Sequence, residues 1–171
     1  MKSMKFAVLA TLSAVALSTA AQAADYLSLN VGEFAALRRA NYHAGQFGAE
    51  YRFDEMGYGI HPIVGGFITS HDSTYGYGGF NWDVALLKNE LYLVPNFAVG
   101  AYSKGNGKDL GGALEFRSGI ELDYQFVNAQ QVGVALNHIS NAGIYSHNGG
   151  EETIMATYSI PVGTIKNWLH F

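Results

Sequence analysis

Residues 113–126 alternate with a period of two. Phe116, Ile120, Leu122, Tyr124 and Phe126 fall on one side of an extended chain, and Glu115, Arg117, Glu121, Asp123 and Gln125 on the other. A second stretch repeats the arrangement, with Phe47, Ala49, Tyr51 and Phe53 against Gln46, Glu50 and Arg52. In a third, Leu91, Leu93, Phe97, Val99 and Ala101 oppose Tyr92, Asn96 and Tyr102. Runs of this character predict eight strands, at 26–34, 44–53, 61–70, 74–85, 91–102, 113–126, 130–140 and 152–160.

Strands with one apolar and one charged face must separate two environments. A soluble sandwich turns the apolar faces inward and leaves the charges in water. A transmembrane barrel turns them outward to lipid and pairs the charges inside, which suits strands of about 10 residues separated by turns. The abundance of Tyr (11) and Phe (10) and the terminal Phe171, a familiar feature of bacterial outer-membrane barrels, favour the barrel. The expected fold is therefore all-β: an eight-stranded antiparallel up-and-down transmembrane β-barrel. A barrel this small is filled by side chains and carries no pore, which disfavours transport.

If both chain ends lie in the periplasm, the connections at 54–60, 86–90 and 127–129 are periplasmic turns. Those at 35–43, 71–73, 103–112 and 141–151 then face outside. Pro161 is expected to stop the eighth strand early, leaving 162–171 as a poorly alternating tail.

The N-terminus adds a compartment. Lys2 and Lys5 precede an apolar run from Phe6 to about Leu17, followed by Ala21-Gln22-Ala23, an A-x-A cleavage pattern. Residues 1–23 read as a cleaved secretory signal and 24–171 as one barrel domain of the Gram-negative outer membrane. With no cysteine, an exported chain has neither disulfides nor a thiolate metal cluster. Without Lys2 and Lys5 it carries eight basic against 14 acidic residues, which argues against nucleic acid as a partner.

Chemistry concentrates in His138-Ile139-Ser140-Asn141-Ala142-Gly143 and Asn148-Gly149-Gly150-Glu151-Glu152. Residues i and i+2 of a strand share a face about 6.5–7 Å apart, so a His138 imidazole reaches a Ser140 hydroxyl. Parity puts both with Val132, Val134 and Leu136, on the lipid side, and Asn137 and Asn141 opposite. Along the eighth run Glu152 shares the parity of Ile154, Ala156, Tyr158 and Ile160, whereas Glu151 points inward. Adjacent antiparallel strands then bring Glu152 toward His138. The roles follow: Ser140 as nucleophile, His138 as general base, Glu152 as orienter of the imidazole. The Asn148 side chain and the backbone from Asn141 to Gly143 are the candidate oxyanion and substrate-binding groups. Each part also has an ordinary reading, as a strand-end histidine, a turn-forming Ser-Asn pair and a solvated acidic loop edge.

The run His138–Gly143, with Asn148 and Glu152 after it, resembles the lipid A 3-O-deacylase family. So do Gly107-Lys108-Asp109-Leu110-Gly111-Gly112 through Phe116-Arg117-Ser118-Gly119-Ile120-Glu121-Leu122, and Tyr158-Ser159-Ile160-Pro161. The resemblance implies an outer-membrane esterase that removes the 3-O-linked acyl chain of lipid A in lipopolysaccharide, without a cofactor or metal. Its base, nucleophile, acid and oxyanion-hole asparagine would fall on His138, Ser140, Glu152 and Asn148. Competing functions are a non-catalytic small barrel serving envelope integrity or adhesion, and another lipid-active enzyme such as a phospholipase or an acyltransferase.

His43, His61, His71, His147 and His170 have no ligand spacing for zinc, so no metal is expected. Arg38, Arg39, Lys104 and Lys108 read as solvated loop charge, with lipid phosphates as the other reading. Glu115, Arg117, Glu121 and Asp123 read as a polar network filling the barrel.

Overall fold

The computed structural model describes residues 25–37, 42–88 and 90–169. The predicted signal at 1–23, together with Arg38, Arg39, His170 and Phe171, lies outside the described residues. The described strands are β1 (Tyr26–Phe34), β2 (Ala44–Arg52), β3 (Ile60–Thr69), β4 (Thr74–Trp82), β5 (Val84–Leu87), β6 (Leu91–Ser103), β7 (Leu114–Gln125), β8 (Gln131–Ser140) and β9 (Glu151–Pro161). A helix, α1 (Val162–Leu169), follows directly.

Every neighbouring pair is antiparallel, and the sheet closes on itself. β1 pairs with both β2 and β9, and β4 with both β3 and β6. β4 and β5 both lie against β6 and are two parts of one wall strand, so the barrel has eight staves, as the alternation predicts. The predicted unbroken run 74–85 is interrupted at Asp83. Its N–H turns out of the ladder to donate to the Gly59 carbonyl at 2.7 Å, and its carboxylate faces Arg52 and His61, each 3.6 Å away.

The period-two pattern becomes an inside and an outside. Phe47 (68% exposed), Val134 (60%), Leu29, Phe97, Ile120 and Leu122 cover the outer wall. A continuous apolar surface of this extent is unstable in water and stable against lipid tails. The inward set is layered. At the end that carries the long loops, Phe34, Phe67, Tyr75 and Tyr102 stack with ring centroids 5.6–6.3 Å apart, over Leu110 and Ile139. Below them the Arg117 guanidinium sits 4.0 Å from the Tyr77 ring centroid and 2.8 Å from Glu50, which also accepts the Tyr77 hydroxyl. Toward the chain ends, Arg52 (1% exposed) faces Asp83 and Glu121. The gap left between Glu50, Tyr77, Arg117, Glu121 and Asn137 is about 10 Å³, so the lumen is packed rather than open.

The predicted stop at Pro161 holds to within one residue. β9 includes Pro161, which pairs with Tyr26 at the strand's end, where its missing N–H leaves no ladder bond unmade. The tail that fails to alternate does so because it is helical. Val162, Ile165 and Leu169 fall on one side of α1, and the Val162 N–H donates to the Asp25 carbonyl.

Candidate active site on the outer wall

The antiparallel register of β8 and β9 places His138 directly opposite Glu152. Both point outward, because β8 buries Ala135, Asn137 and Ile139 and exposes Val132, Val134 and Leu136. Their side chains meet, with Nδ1 of His138 3.1 Å from Oε1 of Glu152. A carboxylate there fixes the tautomer with the proton on Nδ1, leaving the Nε2 lone pair for a second partner. Ser140 lies two residues along on the same face, opposite Phe116 of β7.

A groove of about 430 Å³ runs down the wall from this pair, lined by Ser118, Gly119, Ile120, Leu136, Asn137, His138 and Glu152. The cross-strand pairs Ser118↔His138 and Ile120↔Leu136 set its direction, from the polar pair at the loop end toward the apolar middle of the wall. An alkyl chain laid along Ile120 and Leu136 would therefore end at His138.

The loop 141–150 has its own framework. The buried Asn141 side chain donates to the carbonyls of Leu110 and His147, each at 2.8 Å, and accepts the Gly143 N–H at 3.0 Å. The Gly149 N–H reaches the Leu110 carbonyl, and the Tyr145 hydroxyl accepts the Leu114 N–H. Close approach to the loop 104–113 depends on Gly111, at φ 108°, where a Cβ would sit 1.8 Å from the His147 carbonyl oxygen. Exposed Asn148 accepts the Asn141 N–H through Oδ1 at 3.3 Å, which holds its amide next to Ser140 and keeps Nδ2 as a donor.

Of the six site residues read from the sequence, the structure thus joins His138 to Glu152, sets Ser140 beside them on the face and brings Asn148 to the residue after Ser140. The Asn141 and Gly143 amides donate to side-chain oxygens within the loop. Sequence reasoning missed Lys108. It is 10% exposed at its side chain rather than solvated, with Nζ 2.6 Å from Oε2 of the fully buried Glu151. The inward parity of Glu151 was the available signal, since a buried carboxylate requires a cation. Lys104 does behave as loop charge, 3.0 Å from exposed Asp109. Its ammonium, followed by the Gly111 amide, holds the Asp109 carboxyl below its usual range.

Fold and site together define a class: a small membrane barrel, polar within and apolar without, that carries an acid–histidine pair on its outer face. The chain belongs to the lipid A 3-O-deacylase (PagL) family, whose sequence model matches residues 38–161. It is 34% identical over 73 residues to lipid A deacylase PagL of Pseudomonas aeruginosa, an alignment that covers 42% of this chain and 42% of that protein. The barrel superposes on the crystal structure of the outer membrane enzyme PagL with a TM-score of 0.62 at 22% identity, covering 80% of this chain and 99% of that one. It superposes on Neisserial surface protein A (NspA) with a TM-score of 0.55 at 11% identity, covering 80% and 96%. One of these barrels is an enzyme and the other a surface protein, so the fold alone does not choose between them.

Proposed function

We propose that this chain is an outer-membrane serine esterase that hydrolyses the 3-O-linked acyl chain of lipid A. The observation that carries this reading is the His138–Glu152 hydrogen bond at the head of an apolar groove on the outer wall. A polar pair facing hydrocarbon is costly unless it is satisfied or used, and a lipid is the substrate that meets it there. With both chain ends in the periplasm, the loop end and its site lie at the outer leaflet.

In this mechanism Ser140 Oγ attacks the ester carbonyl while His138 Nε2 takes its proton. Glu152 stabilises the imidazolium, and the Nδ2 amide of Asn148 donates to the oxyanion. Collapse breaks the ester bond, and His138 returns the proton to the departing sugar 3-oxygen. Water, deprotonated by His138, then cleaves the acyl-serine to free fatty acid and restores Ser140. The Asn141 and Gly143 amides, engaged inside the loop, shape the backbone around Ser140, and the oxyanion role passes to Asn148. The acyl chain lies in the groove against Ile120 and Leu136.

The test is mass spectrometry of lipid A incubated with purified, folded protein. Wild type is expected to remove one 3-hydroxy acyl chain, and Ser140→Ala and His138→Ala, both migrating as heat-modifiable barrels, none. Undiminished release by Ser140→Ala overturns the mechanism. Lysophospholipid in place of deacylated lipid A would make the enzyme a phospholipase.

A further inference from the structure

Glu152 is the second residue of β9, where an irregular loop hands over to a ladder, so its aim at His138 depends on how that handover is held. Its carbonyl accepts the Ala36 N–H at 3.0 Å, and its own N–H donates to Oε1 of Glu151 at 2.7 Å. The other oxygen of Glu151 is 2.6 Å from Lys108 Nζ, and the same ammonium donates to the Gly150 carbonyl at 2.5 Å. One cation, from the loop between β6 and β7, thus fixes both residues that precede Glu152. It also lies 5.7 Å from the centroid of the Tyr42 ring, in the loop after β1. Glu151 is fully buried, and a buried carboxylate deprived of its cation must take up a proton or leave its place.

We propose that Lys108 is a positioning residue for the reaction. Acting through Glu151, it sets the backbone from which Glu152 reaches His138, and it neutralises a second carboxylate one peptide bond from the one the imidazole uses. This rests on the proposed triad. Lys108 has no place in the groove, whose walls are Ser118, Ile120, Leu136 and their neighbours, so its removal leaves lipid binding intact. What fails is the alignment of Glu152 with Nδ1. Misplacement of a catalytic group by about 1 Å is enough to cost on the order of a hundredfold in rate.

The experiment is steady-state deacylation of lipid A by the refolded full chain in detergent, with Lys108→Met, Lys108→Arg and Ser140→Ala measured beside wild type. Lys108→Met is expected to lower kcat on the order of a hundredfold with KM unchanged. Lys108→Arg, which keeps the charge but not the compact ammonium geometry, is expected to fall between the two, also with KM unchanged. Heat-modifiable mobility reports folding, and if Lys108→Met does not fold, the kcat of Lys108→Arg decides. Wild-type kcat in the folded Lys108 variant overturns the positioning role, as does a loss carried by KM. Ser140→Ala separates this from failure of the site itself: activity there overturns the triad, whereas an inactive Ser140→Ala beside a fully active Lys108 variant overturns the role of Lys108 alone.

Discussion

Glu151 and Glu152 are one peptide bond apart and live in different solvents. Glu151 turns into the barrel, is fully buried and is held by Lys108, whereas Glu152 turns out, is partly exposed and meets His138. The two faces of the β8–β9 seam obey different rules. Inside, a charge is kept because its partner is buried with it, and loss of either partner leaves an uncompensated ion. Outside, the wall needs only apolar side chains to be stable, so polar groups there are free to serve a reaction. Inward substitutions within the lumen should therefore injure the fold and outward ones the chemistry, with Lys108 set apart because its buried partner Glu151 adjoins Glu152.

That contrast breaks most sharply at Glu152. Glu152→Gln should lower kcat on the order of 10⁴-fold, because the amide no longer fixes the imidazole tautomer or its charge, with an unchanged unfolding midpoint in urea. Equal loss of stability in that variant would put Glu152 among the structural carboxylates. The inward counterpart is Arg117→Met, which leaves Glu50 without its cation and should cost about 3–5 kcal/mol of unfolding free energy. Protein that folds should retain its catalytic constants, as read by lipid A deacylation below the denaturing range. Asn148→Ala, outward and in a loop, should lower kcat by about 10²–10³-fold without changing KM, the signature of a lost oxyanion donor. Lys104→Ala, which removes an exposed pair with Asp109, should change stability by no more than about 1 kcal/mol and leave activity alone.

The faces were legible before the fold because alternation is a local property. Phe116 to Phe126 against Glu115 to Gln125 already separates wall from lumen, and the same parity distinguishes Glu152 from Glu151. Closure, the placement of His138 opposite Glu152 and the outward site all follow from that one regularity and the order of the strands. The contacts across the loops do not. Lys108 meets Glu151 over 43 residues and Asn141 meets Leu110 over 31, and such pairings depend on how the staves shear when the barrel closes. The break at Asp83 was hidden for a similar reason, since only the folded chain brings Gly59, Arg52 and His61 to it. The helix after Pro161 was missed because eight residues give barely two turns of periodicity, too short a pattern to stand out beside a strand.

Ser140, on the outer wall, is proposed as a nucleophile activated by His138. Reaction of the folded protein with a long-chain alkyl fluorophosphonate, followed by intact mass and peptide mapping, tests it most directly. One adduct on Ser140, absent in His138→Ala although that variant remains a folded barrel, is the predicted result. Persistent deacylation of lipid A by a protein that forms no adduct at Ser140, or an equal adduct in His138→Ala, would contradict it.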